Sequence, residues 1–347
     1  MALLFLQEYG ATRLDRYTPQ PFAEETDDEP HKDADLDYDP AYDRDDWHPH
    51  SPCPPANWDP ASWPLRPIRF IDGKDVGETV AWLRAPGGYP VPVRLGQIGS
   101  VVMALQGQEL RRDYYHADKV VALVTDPFPW DRVEAFAQDL QRLGFRLLSA
   151  RPPDGACTFD FERMRKAAQS RSNTEMESLE EAALAQPSNV PTVVDGRLAP
   201  RSGGIPDPEN APVYGVIKTH RRRYLHDEGM RTLYRLEQGQ RTPLFAIAQR
   251  NLDVVSWYLR LSGGSGPTPN YGIVRVEVSQ KWFERHKDRV AFADCLSMVL
   301  CHARCRQESY GRAAISLHPI VRAESSLGAC FHDHGRLTSQ FCRLAGL

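Results

Sequence analysis

The alternation of apolar and polar positions along the chain predicts a mixed α/β protein. A continuous apolar run at residues 120–125 is typical of a buried strand, and residues 271–278 alternate apolar with polar side chains as a half-buried strand does. Amphipathic spacing predicts a helix over residues 131–143 and a longer one over 159–185. Further strands are predicted at residues 69–72, 79–84, 90–95, 100–105, 145–149, 213–218, 240–248 and 254–261.

Two predicted strands end in an Asp-Gly pair. The first, Asp72-Gly73, follows the apolar residues 70–71, and the second, Asp195-Gly196, follows residues 190–194. A carboxylate released from a strand by a glycine turn is well placed to bind a metal ion, so two such pairs suggest two carboxylates over one divalent cation. The alternative is that both are ordinary turns, which is what Asp-Gly most often forms.

The long helix between these pairs carries glutamates that could join the same site. On a helical wheel Glu175 and Glu180 flank the apolar stripe, whereas Glu177 and Glu181 point further outward. Solvated surface charge is the ordinary explanation for such a set. The helix leads directly into the Asp195 strand, however, so one of the glutamates could reach the metal.

Charge separates residues 1–64 from the rest of the chain. Residues 1–50 hold 14 Asp and Glu against 4 Lys and Arg, which leaves about +6 on the remainder of a chain whose net charge is −4. Residues 1–64 are therefore predicted as an acidic, Pro- and Trp-rich tail, and residues 65–347 as the folded domain. No apolar run could span a membrane, and seven scattered cysteines fit a reducing cytoplasm.

A basic segment follows the predicted strand at 213–218. Lys218, His220 and the arginines Arg221, Arg222 and Arg223 form the densest positive patch, which suggests phosphate contact, although ordinary surface charge is the alternative. No phosphate-binding loop or dinucleotide fingerprint is present. The late Cys and His residues, from Cys301 to Cys342, match no common zinc spacing, which disfavours a structural zinc.

Taken in order, several segments resemble the NurA family of nucleases. Besides the acidic helix, they are residues 70–73 (FIDG), 193–198 (VVDGRL), 215–218 (GVIK), 239–245 (GQRTPLF), 256–261 (SWYLRL), 274–278 (VRVEV) and 317–320 (LHPI). The resemblance covers roughly residues 66–325. It implies an RNase H-like mixed sheet flanked by helices, with additional antiparallel strands. The extended acidic tail precedes this fold at the N-terminus.

The resemblance also implies a function and a set of site residues. The family acts as a Mn²⁺-dependent DNA nuclease, with Mg²⁺ as the other candidate cofactor, and assembles as a homodimer on HerA, a hexameric DNA translocase. Asp72 would be the first metal carboxylate and Asp195 the third, with Glu177 or Glu180 between them. His318 and Glu324 stand near the expected late ligands, and Arg241 joins the predicted DNA contacts.

Two hypotheses therefore stand. The first is a metal-dependent, end-processing DNA nuclease that works with a translocase in repair or in defence against phage. The second is a catalytically degenerate adaptor or DNA-binding subunit on the same fold, because the late positions depart from the family pattern. Either would act in the cytoplasm.

Overall fold

The computed structural model describes residues 3–14, 43, 46–152, 160–198, 211–220, 223–249, 251–263, 269–305 and 315–347. Within these residues the strands join into one mixed sheet. They are β1 (Thr12–Arg13), β2 (Arg69–Arg84), β3 (Pro90–Gln106), β4 (Glu109–Val124), β5 (Arg146–Ala150), β6 (Thr192–Asp195), β7 (Val213–Ile217), β8 (Phe245–Ile247), β9 (Val254–Arg260) and β10 (Ile273–Ser279).

The strand order is β5-β4-β3-β2-β6-β7-β10-β9-β8, with β1 paired to the far end of β2. The central strand β2 is antiparallel to β3 and parallel to β6, and β6 is parallel to β7. On the far side β10, β9 and β8 add antiparallel strands. The predicted fold class is confirmed as far as a mixed α/β sheet flanked by helices, with additional antiparallel strands.

The strands β2, β3 and β4 are much longer than predicted. Residues 69–72 and 79–84 belong to one strand of 16 residues, and 90–95 and 100–105 belong to one of 17. The prediction that Asp72-Gly73 ends a strand is therefore wrong. Gly73 pairs with Ser100 inside the ladder and does not adopt a positive φ. A glycine within a strand also marks close approach of another element, which is what occurs here.

Helices cover both faces of the sheet. They are α1 (Leu4–Glu8), α2 (Trp130–Arg142), α3 (Phe161–Leu184), α4 (Asp227–Arg235), α5 (Gln280–Arg285), α6 (Arg289–His302), α7 (His318–Gly328) and α8 (His334–Ala345). On one face α6 and α7 pack on Phe70, Val101 and Trp257. On the other, the end of α3 packs on Ile71 and Val102. No helix in the described part of the chain is long and apolar enough to span a bilayer.

Parts of the segment predicted as a tail are folded. Leu3 and Leu6 are fully buried beside α2 and α8, and β1 extends the sheet. Trp47 is buried as well, and its carbonyl oxygen accepts a hydrogen bond of 2.5 Å from the Thr232 hydroxyl. Residues 3–14 and 46–64 therefore pack against the body. The most acidic stretch, residues 15–42, lies outside the described residues.

A candidate carboxylate active site

Asp72 and Asp195 lie side by side where β6 ends. The parallel register pairs Ile71 with Val194, so the next residue of each strand projects from the same face of the sheet. The two carboxyl groups are close enough for the charge of Asp195 to raise the pKa of Asp72, after burial as the larger cause. Asp72 is only 6% exposed, whereas Asp195 is half-buried. Two neighbouring acidic side chains, one of them buried, indicate a site with more negative charge than it can easily hold ionised.

Glu180 reaches the same point from α3. The Arg69 guanidinium donates a 2.6 Å hydrogen bond to the Ala183 carbonyl, and the Ser100 hydroxyl donates one of 2.9 Å to the Leu179 carbonyl. These two bonds fix the helix over the sheet on either side of Glu180. The Glu180 carboxylate in turn accepts a hydrogen bond from the backbone N–H of Gly73.

Gly73 is the residue that permits this approach. A Cβ at this position would lie 2.2 Å from the Met176 sulfur and 2.8 Å from the Glu180 carboxyl carbon. Both distances are shorter than van der Waals contact. The glycine is therefore needed because α3 crosses β2 here. It does not form the turn that the sequence predicted.

Glu324 adds a fourth carboxylate from α7. Its carboxylate lies 3.5 Å from the ammonium of Lys74, and its charge acts on Asp72. Lys74 follows Asp72 by two residues on the same strand face. The other cation of the cluster is Lys218, whose ammonium lies 2.6 Å from Asp195. The cluster thus brings Asp72, Glu180, Asp195 and Glu324 together with Lys74 and Lys218.

The electrostatics of this cluster are unfavourable without a further cation. Burial raises the pKa of Asp72 well above its usual value, the charges of Asp195 and Glu324 raise it further, and Lys218 opposes them. Burial likewise raises the pKa of Glu180 well above its usual value, with Asp72, Asp195 and Glu177 acting in the same direction. Two lysines do not balance these acids, so protonation substitutes for the missing positive charge.

The donor set fits a hard divalent cation. Carboxylate oxygens are the ligands that Mg²⁺ and Mn²⁺ prefer, and the raised pKa values of Asp72 and Glu180 mark the charge that such an ion would neutralise. In the described part of the chain, no three His, Cys, Asp or Glu side chains are arranged to hold a metal ion as they stand. The Lys218 ammonium also occupies one carboxylate oxygen of Asp195 in this arrangement.

The loop after Asp195 is held by residues that no pattern in the sequence singles out. Gly196 has a φ of 130°, so the turn predicted here is present. A Cβ on Gly215 would lie 2.8 Å from the Gly196 carbonyl oxygen. The N–H of Leu198 donates a 2.9 Å hydrogen bond to Glu277, which is fully buried. Glu277 lies 2.8 Å from the buried Arg275, so an internal ion pair positions this loop.

The structure contradicts the prediction that Arg241 contacts DNA. Its side chain is fully buried and bonds to Asp43 at 2.5 Å and to Asp294 at 2.8 Å. Asp294 also accepts hydrogen bonds from the Cys53 N–H at 3.0 Å and pairs with His50 at 3.2 Å. Arg241 therefore fastens the segment before residue 54 to the body. The desolvation of a buried charge requires such a partner, and the sequence does not show it.

The other predicted DNA contacts are dispersed. Lys218 belongs to the carboxylate cluster. His220 is half-buried and bonds to the Ile273 carbonyl at 3.0 Å, and Arg223 is paired with Asp227. Arg221 and Arg222 lie outside the described residues. A continuous basic strip after β7 is therefore not seen in the described part.

The remaining predicted site residues separate into near and distant positions. Glu177 is exposed on α3 and raises the pKa of Glu180 through its charge. His318 begins α7, six residues before Glu324, and lines a separate cavity. Cys301 and Cys305, considered above as zinc ligands, are free thiols.

Comparison with known proteins adds weak structural similarities. The sequence matches no protein-family model and no curated protein. The NurA nuclease from Sulfolobus solfataricus is 10% identical, with a TM-score of 0.36 over 81% of each chain. Endonuclease V from Bacillus subtilis is 11% identical, with a TM-score of 0.31 over 79% of this chain and 85% of that one. Both TM-scores are low, so neither similarity establishes an activity for this chain.

Proposed function

We propose that this chain is a DNA nuclease that depends on Mn²⁺ or Mg²⁺ and hydrolyses phosphodiester bonds. The observation that carries the proposal is the cluster of Asp72, Glu180 and Asp195, in which burial and mutual repulsion raise the pKa of two acids. Buried like charges cost stability, and active sites are where such arrangements concentrate.

In this proposal Asp72 and Asp195 would hold the ion, with Glu180 and Glu324 as further carboxylates. A bound divalent ion supplies Lewis acidity towards the phosphate and lowers the pKa of a coordinated water. Gly73 and the fastening of α3 by Arg69 and Ser100 keep Glu180 oriented. Lys218 and Lys74 would offer their ammonium groups to the phosphate oxygens. Because such contacts go to the backbone, we expect little sequence specificity.

The partners in the proposal come from the NurA resemblance. A homodimer would work in the cytoplasm with a HerA-like hexameric translocase, processing DNA ends in repair or in anti-phage defence. The resemblance of residues 193–198 and 215–218 supports it, since those segments carry Asp195 and Lys218.

A second candidate function, a non-catalytic adaptor or DNA-binding subunit, has one specific observation in its favour. Lys218 lies 2.6 Å from Asp195, where it neutralises a carboxylate that a metal ion would otherwise need. A lysine that stays on Asp195 would leave the fold intact but would prevent metal-dependent cleavage of DNA. The two functions make opposite predictions for cleavage.

The decisive experiment measures cleavage of end-labelled linear DNA by the purified full chain in Mn²⁺, in Mg²⁺ and in EDTA. The nuclease proposal predicts ion-dependent cleavage that Asp72→Asn and Asp195→Asn each reduce by at least about 10³-fold, because each removes a charge from the metal site. Glu175→Gln is the matched control. It lies on α3 with Glu180, but its carboxylate bonds to Arg146 at 2.6 Å and Arg171 at 2.7 Å.

Cleavage that the control retains and the two aspartate variants lose would support the nuclease. Equal inertness of wild type and variants, with a HerA-like ATPase included, would favour the adaptor. If Asp72→Asn cleaves DNA as fast as wild type, the assignment of this site is refuted.

A further inference from the structure

A second site lies next to the carboxylates on the same face of the sheet. It is a cavity of about 670 Å³ between β2, the end of α6, the start of α7 and residues 60–67. Phe70 lines it, and Phe70 and Asp72 project from the same face of β2. Two residues of a strand span about 7 Å, so the cavity begins about that far from the carboxylates. We call it the cationic cavity.

The polar side chains around this cavity are all basic. Arg66, Arg304, His302 and His318 line it, and no Asp or Glu does. Among the described residues, neither Arg66 nor Arg304 forms an ion pair. The exposed Asp59 in the neighbouring turn does not line the cavity. Its carboxylate accepts hydrogen bonds of 3.1 Å from the N–H groups of Ser62 and Ala61, and these bonds and then the charge of Arg66 lower its pKa. A cavity with this lining favours an anion.

The basic groups are held in place by the ends of two helices. Arg304 donates a 2.6 Å hydrogen bond to the Cys301 carbonyl, and the His302 ring bonds to the Met298 carbonyl at 2.7 Å. The N–H of His318 donates a 2.7 Å bond to the Ala303 carbonyl, which joins the end of α6 to the start of α7. The side chains of Arg304 and His302 are therefore presented by a fixed framework, which lowers the entropy lost on binding an anion.

The rest of the lining is apolar. Phe70, Leu105, Leu300, Pro67 and Pro319 face the cavity. An inorganic phosphate needs no such surface, whereas a nucleotide offers an apolar base face beside its charged phosphate. The volume lies within the range of ordinary small-ligand sites, about 300–1,000 Å³.

We propose that the cationic cavity binds a nucleotide of the DNA strand, with its base on the apolar surface around Phe70 and its phosphate against Arg66 and Arg304. The inference rests on the proposed function for the identity of the strand. At about 3.4 Å per stacked nucleotide, 7 Å places this nucleotide about two steps from the cleaved phosphate. The cavity thus sets how a strand enters the carboxylate site.

The test measures binding without cleavage. A fluorescein-labelled single-stranded DNA 12-mer is titrated with full-length wild type and with Arg66→Gln/Arg304→Gln in EDTA, at several salt concentrations. We expect the variant's Kd to rise at least about tenfold. The slope of log Kd against log salt concentration should fall by about 0.7, since each phosphate neutralised on a single strand contributes about 0.7. The matched control is Arg336→Gln/Arg343→Gln, which removes the same charge from exposed positions on α8.

The inference holds if the cavity variant loses binding and the α8 control stays within twofold of wild type. It is overturned if both variants weaken binding equally, because that pattern reflects net charge alone. A second measurement follows the imidazole NMR signals of His302 and His318 in wild type during titration with dAMP. Shifts with dAMP that adenosine does not produce support the site, and no shift with either ligand at 10 mM contradicts it.

The two proposals fail in different ways. If wild type cleaves no DNA but the cavity variant still loses binding, the nuclease function is wrong and the cavity assignment stands. If wild type cleaves DNA and the cavity variant binds as tightly as wild type, the cavity assignment is wrong and the nuclease function stands. Melting temperatures of the variants within about 3 °C of wild type show that the fold is retained.

Discussion

Gly73→Ala tests whether the approach of Glu180 to Asp72 matters. The new Cβ would lie 2.2 Å from the Met176 sulfur and 2.8 Å from the Glu180 carboxyl group. To restore contacts of about 3.5 Å, the sulfur must retreat by about 1.3 Å and the carboxyl group by about 0.7 Å. Both groups are the ends of flexible side chains, so they can move without the helix moving.

This geometry predicts a large effect on activity and a small one on stability. Overpacking costs about 1–3 kcal/mol, and the lower end applies to flexible chain ends. Replacing a glycine offsets about 0.4–1 kcal/mol of that through the unfolded chain. Displacing a catalytic carboxylate by about 1 Å can lower the rate by about 10²-fold. Gly73→Ala should therefore cleave DNA about 10²-fold more slowly while melting within about 3 °C of wild type.

The assay pairs Mn²⁺-dependent cleavage of labelled DNA with thermal melting of the same preparations. Gly96→Ala is the control, since its Cβ would meet the Val76 carbonyl at 3.1 Å in the same hairpin but no carboxylate of the cluster. The control should lose stability to a similar extent and keep its cleavage rate. Full activity in Gly73→Ala would refute the role given to Glu180, and so would equal losses of activity in the two variants.

Three further outcomes are expected. Because burial and then Asp195 raise the pKa of Asp72, its stability contribution is fully present below the unfolded-state pKa and lost as the pH rises through the folded-state value. In EDTA the melting temperature of wild type should thus fall with rising pH relative to Asp72→Asn; parallel curves would contradict this. Arg241→Gln should lower the free energy of unfolding by about 3–5 kcal/mol in urea denaturation, because Asp43 and Asp294 stay buried without the guanidinium charge that pairs with both; a loss under 1 kcal/mol would contradict it. Burial raises the pKa of Cys301 to about 11, so iodoacetamide at pH 8 should label exposed Cys53 first by peptide mass spectrometry, and equal labelling would contradict the fold there.

The sequence was sufficient for α2, α3 and most of the strands, and for placing Asp72 and Asp195 on two of those strands. Local apolar patterns predicted α2, α3 and the central strands, because each buries a regular face. The pairing of β2 with β6 could not be read from either segment alone, yet it is what joins Asp72 to Asp195. The glycine at 73 suggested a turn because Asp-Gly usually forms one, whereas tertiary packing of α3 uses it for close approach.

Charge was the weaker guide. Lys218 and Arg241 look alike in the sequence as candidates for phosphate contact. In the fold Arg241 is buried and forms ion pairs with Asp43 and Asp294, and Lys218 forms an ion pair with Asp195. Whether a basic residue pairs with an internal carboxylate or binds an external phosphate depends on the side chains around it. Those neighbours are distant in sequence, so the sequence alone does not show which applies. The cationic cavity at Arg66 and Arg304 could not be predicted from the sequence for the same reason.

The most direct test of the central claim is a crystal structure of the protein soaked in Mn²⁺, with anomalous data collected at the manganese edge. The account predicts an anomalous peak between the carboxylates of Asp72 and Asp195, with the Lys218 ammonium moved off Asp195. No peak there at millimolar Mn²⁺, with Lys218 still bonded to Asp195, would contradict it.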